Sequence, residues 1–480
     1  MIVSLIRLVS ILLMIVAATM LLPAGVAFFY DDKHMIISFL IPFCVCFVVA
    51  PLVLLFTRKS KIKLNTHIGF TAVALCWISS SILGAVPLML SGYVPRFANA
   101  LFESASGFTT TGSTVLRNID ILPRSLNLWR MQMHWLGGMG IVALTVALLP
   151  LLGVGGFQLI KAENTGPEKD KITPKISNTA KILWITYGAL TLLQTMLLMF
   201  AGMDFVNALG HTFATLGTGG FSSKSESIGA YNSATIDWVC TVFMVLAGVN
   251  FSLYYLILTG KGKEVLKNTE LKIYVSILLI ATFCLTIFIT PIYGSFFSTI
   301  RYSAFQVVSI LTTTGFSNTN FDIWPSAAKM ILLSLMFIGG CSGSTAGGVK
   351  VIRWVVVAKQ LNNETKRMVH PHGVFSIQLN GRTGRKDIIY NVGAFMLLYF
   401  LFVVFTAFVA SIDGADLVTS ITSSLALVGN IGPGFAAVGP TESYAFFSDA
   451  AKYWFCFAMI AGRLELYTMM MFFLPMYWKK

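Results

Sequence analysis

Apolar residues along this chain fall into two kinds of run. Ten runs reach or approach the roughly 20 residues that a membrane-spanning helix needs: 8–30, 35–57, 68–95, 131–160, 182–203, 238–259, 273–300, 330–349, 388–412 and 453–478. Four others, at 97–108, 204–216, 299–311 and 415–428, are too short to cross a bilayer. They follow the third, fifth, seventh and ninth long runs. The first long run exceeds the apolar core of a signal peptide, about 7–15 residues, and a second uncharged run follows it. Residues 1–66 therefore read as an N-terminal two-helix hairpin.

Each short run leads into a small-residue sequence. These are Thr109-Thr110-Thr111-Gly112-Ser113, Gly217-Thr218-Gly219-Gly220-Phe221-Ser222, Thr312-Thr313-Thr314-Gly315-Phe316-Ser317 and Gly429-Asn430-Ile431-Gly432-Pro433-Gly434. Aligned on Gly112, Gly220, Gly315 and Gly432, the copies lie 108, 95 and 117 residues apart, an internal fourfold repeat. The division is 67–160 for repeat one, 161–262 for repeat two, 263–386 for repeat three with a cytoplasmic loop, and 387–480 for repeat four. Non-helical backbone at membrane depth is tolerated only where protein buries it or it lines an aqueous path. The fold class is therefore an all-α polytopic membrane protein, with four helix–re-entrant pore loop–helix repeats around a pseudo-fourfold pore. Carbonyls on such strands can replace a cation's hydration shell, as in potassium channels. The expected filter residues are Thr110, Thr111 and Gly112; Thr218, Gly219 and Gly220; Thr313, Thr314 and Gly315; and Asn430, Ile431 and Gly432.

Composition agrees with this reading. Of 480 residues 56% are hydrophobic and 11% charged, with a mean hydropathy of +0.77; soluble domains run near 25% charged. The net charge of +14 would fit nucleic acid in a soluble protein. Here 24 of the 34 basic residues fall at the N-terminus, after even-numbered runs, or at the C-terminus. The positive-inside rule makes that side cytoplasmic, with both termini on it, so no nucleic acid is needed. Seven cysteines form no CxxC pair and read as small core residues.

The eighth run breaks its own pattern. Residues Gly339-Gly340-Cys341-Ser342-Gly343-Ser344-Thr345-Ala346-Gly347-Gly348 hold five glycines, each costing a helix up to about 1 kcal/mol. A loop at mid-membrane is expected, facing the pore. Without a Gly-Lys-Ser/Thr ending it is not a phosphate loop. The gate candidates are Gly340, Ser342, Gly343, Ser344, Thr345, Gly347 and Gly348. Arg463, inside the tenth run, is the second candidate. It is expected to face the pore and repel cations; an ion pair with another span is the alternative. Glu465, two residues on, would lie on a different helix face.

The motifs TTTGS, GTGGFS, TTTGFSN and GNIGPGF resemble the Trk/Ktr/HKT superfamily of potassium transporters over roughly residues 68–478. The extra N-terminal hairpin favours its TrkH-type subunits. The resemblance implies potassium selectivity, since all four filter glycines are present. It also implies an intramembrane gating loop at the eighth run, an arginine barrier at Arg463, a homodimer, a cytoplasmic nucleotide-binding ring such as TrkA, and a bacterial inner membrane. The basic stretch 350–386 offers a docking face for such a ring. Potassium is then the cargo, and no organic cofactor motif occurs. Two rivals remain: a sodium- or proton-coupled symporter, and a membrane enzyme, which would need clustered catalytic groups that the six scattered histidines do not supply. Gly137-Gly138-Met139-Gly140 reads as a close helix contact. Glu103, Glu226, Asp237, Asp322, Asp413, Asp416, Glu442 and Asp449 read singly as outer-mouth surface charges.

Overall fold

The computed structural model describes residues 2–58, 66–140, 176–380, 382–383, 386–473 and 475–478. Helices α1 (Ile2–Thr19) and α2 (Leu21–Phe29) run on from one another and pack against α3 (Lys33–Phe56). Asp32 caps α3 by accepting from the Met35 amide at 3.1 Å. This is the predicted hairpin.

Four repeats follow, each with an outer helix, a short pore helix and an inner helix, and among the described residues the last three have a further helix after the inner one. Repeat one is α4 (Thr66–Leu90), the short α5 (Phe97–Phe108) and α6 (Arg124–Gly138). Repeat two is α7 (Ile176–Phe200), α8 (Phe205–Leu216), α9 (Ala234–Ala247) and α10 (Phe251–Leu258). After the short α11 (Gly262–Lys267), repeat three is α12 (Thr269–Tyr293), α13 (Phe296–Leu311) and α14 (Ser326–Met336), then a loop and α15 (Val351–Val369). Two-residue strands β1 (Gln378–Leu379) and β2 (Arg382–Thr383) pair antiparallel. Repeat four is α16 (Lys386–Ile412), α17 (Leu417–Val428), α18 (Asp449–Arg463) and α19 (Tyr467–Met470), with α20 (Pro475–Trp478) last.

The short pore helices α5, α8, α13 and α17 match the four short apolar runs. Packing closes them into a ring. The inner helix of each repeat packs on the pore helix of the next: α6 on α8, α9 on α13, α14 on α17, and α18 back on α5. Outer helices turn Val48, Phe56, Ile185, Phe200, Leu279, Phe283, Phe400 and Phe408 outward. In water that surface would aggregate; in lipid it is solvated.

The inner helices correct the simple count of ten spans. Among the described residues six helices are long and apolar enough to cross a membrane, or eight if two bent pairs count as spans. Run 238–259 is not one helix: α9 and α10 meet at 91°. Run 453–478 bends by 116° after Arg463. Run 330–349 is α14 followed by the expected loop. Run 131–160 is helical to Gly138, and residues 141–160 lie outside the described residues, as do Lys161, Lys169, Lys171 and Lys175. The described inner helix of each repeat thus ends partway along its apolar run. The causes are local. Gly248 closes α9 where an added Cβ would meet the Tyr274 hydroxyl, and Asn250 restarts the chain by capping α10 through Ser252 at 2.8 Å. After Arg463, Glu465 and Leu466 both adopt positive φ, at 55° and 57°, which a helix cannot continue.

Candidate ion-conduction site

Each pore helix ends in the same way. The amide two residues past its C-cap bonds a carbonyl five residues back: Thr111 to Ser106 at 2.9 Å, Gly219 to Ala214 at 2.8 Å, Thr314 to Ser309 at 2.9 Å and Ile431 to Ala426 at 2.8 Å. This is the Schellman arrangement, which needs a left-handed residue just past the cap. Glycine is usual there. Here the residues are Thr110, Thr218, Thr313 and Asn430, with φ of 54°, 54°, 56° and 53°. A left-handed non-glycine residue costs roughly 1–3 kcal/mol and clusters at functional sites. Two residues on, Gly112, Gly220, Gly315 and Gly432 are left-handed again, at 83°, 76°, 79° and 101°. The residues between, Thr111, Gly219, Thr314 and Ile431, do not have positive φ, so left-handed positions alternate along each strand, which suits a strand that turns its carbonyls to one side.

The four strands meet around one axis. A Cβ added to Gly112 would collide with the Gly219 carbonyl oxygen, one on Gly220 with that of Thr314, and one on Gly315 with that of Ile431. Gly432 closes the circle, its Cβ falling 2.8 Å from the Thr111 oxygen. All twelve expected filter residues are therefore brought together, in repeat order. The C-termini of the four pore helices converge here, and none carries a basic residue in its last turn. Their dipoles place negative potential on the ring. At its inner edge Thr110 Oγ1 and Asn430 Oδ1 are buried oxygens with no hydrogen-bond partner among the described residues. Outside the ring opens a vestibule lined by Ser113, Thr114, Arg117, Ser222, Lys224, Ser317 and Glu442.

The glycine-rich loop of run eight lies directly beneath. Its two stems meet through Gly339 N to Val349 O at 2.8 Å and Val351 N to Gly340 O at 3.2 Å. Its far end touches the filter strands. Gly347 N donates to Thr313 Oγ1 at 2.6 Å, and a Cβ on Gly347 would fall 2.9 Å from that of Asn430. The expected gate residues separate here. Gly347 and Gly348 lie under the ring, against Asn430 and Thr313, while Thr345 bonds the Ala247 carbonyl of repeat two through N at 3.4 Å and Oγ1 at 3.1 Å. Gly343 turns away and docks on repeat two, its carbonyl accepting from Phe251 N at 3.0 Å. Ser344 bonds back to Cys341 O within the loop, and Ser342 meets α12 of repeat three. Gly340 belongs to the stem. Glu270 of α12, 3% exposed, clamps both flanks by accepting from Ser342 N at 2.7 Å and Ile352 N at 3.1 Å.

Arg463 is tied into the same assembly. Nη1 donates to Thr345 O at 2.8 Å, and Nη2 to Gly137 O at 2.8 Å and Gly138 O at 3.2 Å. It bridges the gate loop to the end of α6, so the two gate candidates form one structure. Glu465 pairs instead with Arg353, because the chain past Arg463 is no longer helical. Lys350 and Arg353, expected on a cytoplasmic docking face, are buried beside the loop, and Lys350 Nζ donates to Ala346 O. Gly137 and Gly138 do serve close contact: added Cβ atoms would meet Phe108 O and Gly217 Cα. Glu103 is no surface charge. It is fully buried and ion-paired with Arg130 at 2.6 Å. Neither it nor Glu270 had a distinguishing sequence neighbour; Glu103 stands nine residues before Gly112 on a helix whose burial only the ring explains.

Such an architecture, with re-entrant strands closed into a ring inside lipid-facing helices, defines a membrane cation-transport pore. The chain belongs to the family described as TrkH, cation transport protein, whose family model matches residues 36–480. That is a family of transporters rather than enzymes. It is 37% identical over 479 residues to the Trk system potassium uptake protein TrkH of Escherichia coli K12, covering 99% of each chain. It is 38% identical over 486 residues to the TrkH of Halomonas elongata, covering 99% of this chain and 98% of that one. The crystal structure of the potassium transporter TrkH from Vibrio parahaemolyticus superposes with a TM-score of 0.89 at 33% identity, over 100% of both chains.

Proposed function

We propose that this protein takes up potassium across a bacterial inner membrane through a channel-like pore. The observation that carries the reading is the closed ring of Thr111, Gly219, Thr314 and Ile431 carbonyls, set by four left-handed glycines. A potassium ion sheds its water into that ring and into the oxygens below it at Thr110, Thr218, Thr313 and Asn430. It then meets the loop tip at Thr345–Gly348, held closed by Arg463. Flux starts when the loop withdraws.

The regulator belongs to the same proposal. Helix α15 continues directly from the loop stem, so a pull on it reaches the gate through one rigid element. It exposes Lys366, Arg367, Leu361, Met368 and Val369, a mixed basic and apolar surface suited to a cytoplasmic nucleotide-binding ring of the TrkA type. A homodimer and cytoplasmic termini complete the reading. Rubidium uptake into proteoliposomes, with potassium, sodium and protons as competitors, tests it. Potassium should compete strongly, and imposed sodium or proton gradients should not drive accumulation. Accumulation driven by either gradient would establish the coupled symporter instead.

A further inference from the structure

Nine residues before the filter glycines, on the pore helices, stand Glu103, His211, Gln306 and Ser423, all fully buried. Three of them reach the strand that leaves their own filter. Glu103 accepts from Thr114 Oγ1 at 2.9 Å and Val115 N at 3.1 Å. His211 Nε2 lies 2.9 Å from Ser222 Oγ, and Gln306 Nε2 donates to Asn318 Oδ1 at 3.1 Å. In repeat four the adjacent Thr422 does this, accepting from Phe435 N at 3.1 Å. A polar brace behind the filter thus recurs in every repeat.

Repeat one alone uses a carboxylate at this position. Arg130 of α6, also fully buried, meets Glu103 through Nη2 at 2.6 Å and Nε at 2.8 Å. It then crosses into repeat two: Nη1 donates to Ser222 O at 3.2 Å, and the guanidinium lies 4.2 Å over the Phe221 ring. One turn along α6, His134 spans the same seam. Its Nδ1 lies 2.7 Å from Gly107 O and its Nε2 accepts from Phe221 N at 3.2 Å, directly after Gly220. That geometry assigns the proton to Nδ1 of a neutral ring.

We propose that Glu103 and Arg130 are positioning residues for ion selection, fixing the separation of the first and second filter strands. This rests on reading the ring as the filter. A fully bonded buried ion pair resists displacement, because any movement leaves a charge uncompensated in a low-dielectric interior. It joins the strand after Gly112 to the strand after Gly220, so the Thr111 and Gly219 carbonyls cannot drift apart. In repeat three Asn318 also reaches across a seam, donating Nδ2 to Asp237 of α9 at 3.0 Å, but the Asp237–Arg301 pair there is longer, at 3.5 Å, and partly exposed. Among the described residues only Glu103 and Arg130 form a fully buried ion pair behind a filter strand.

The test measures rubidium uptake into proteoliposomes per inserted protein, with potassium and sodium as competitors. The variants are Glu103→Gln, Glu103→Asp and the charge-free double variant Glu103→Gln/Arg130→Met. A misplacement of about 1 Å at a working site can cost on the order of 100-fold. A loss of about tenfold in potassium-over-sodium preference is therefore expected for Glu103→Gln and for the double variant, with partial recovery in Glu103→Asp. Inserted variants with unchanged preference overturn the proposal. So does failure of all three to insert, which would make the pair a folding element. Gly112→Ser runs in parallel: if it too leaves preference unchanged, the filter reading fails, whereas a shift there alone removes only the positioning role.

Discussion

Replacing Arg463 separates two ways in which a cation can close a pore. One is electrostatic: a fixed positive charge about 6 Å from a passing ion repels it by roughly 3 kcal/mol at an effective dielectric near 20. The other is mechanical. Arg463 joins the Thr345 carbonyl to those of Gly137 and Gly138, tying the loop tip to the first inner helix. A hydrogen bond from a charged group contributes about 1.5–3 kcal/mol, so losing the Thr345 bond alone shifts the open-to-closed ratio by on the order of 10- to 100-fold. Arg463→Ala removes both effects, and rubidium influx per inserted protein should rise within that range while potassium preference, set above, is kept. Arg463→Lys keeps the charge but loses the two-ended fork. If the tie dominates, Lys should also raise influx; if repulsion dominates, Lys should resemble the natural protein. A well-inserted Arg463→Ala with unchanged or lower influx would refute both and free Arg463 of any part in closing the pore.

The remaining predictions use the same uptake assay. Gly112→Ser places a side chain against the Gly219 carbonyl at a φ of 83° and should weaken potassium preference; unchanged preference would count against the strand alignment. Deleting residues within 340–348 should raise influx and loosen control by a regulator, and equal influx at equal protein level would mean that the loop is not the gate. Glu270→Gln weakens the clamp on Ser342 and Ile352 by about 1 kcal/mol, predicting a several-fold rise in influx; no change would show that the loop moves without releasing its stems.

The repeat was legible because glycine spacing is a property of the chain, and four equivalent glycines can be aligned without a structure. The pore helices were legible for a related reason: an apolar run of 12 residues cannot span and must re-enter. The breaks in α9–α10 and α18–α19 were not, because hydropathy counts apolar residues and does not register backbone direction. Gly248-Val249-Asn250 and Leu464-Glu465-Leu466 contain no proline and too little polarity to interrupt a run. Their turning lies in backbone conformation and close approach, positive φ at Glu465 and Leu466 and a Gly248 where an added Cβ would meet the Tyr274 hydroxyl, neither of which hydropathy registers.

Charged residues were the least legible, and the reason is physical. Position relative to a span assigns a charge to a side of the membrane, yet it cannot say whether a partner removes that charge from solvent. Glu103 was assigned to the mouth and Lys350 and Arg353 to the cytoplasmic face, and all three are interior. Lys350 donates to the Ala346 carbonyl only four residues back, but Glu103 and Arg353 are compensated by partners remote in sequence, Arg130 and Glu465. Burying an uncompensated charge would cost several kcal/mol, so these partners had to exist, and only the closing of the ring brings them within reach. The interior ion pairs therefore sit where repeats meet: Glu103–Arg130 at the seam between repeats one and two, Asp237–Arg301 between repeats two and three, and Arg353–Glu465 beside the gate loop, between repeats three and four.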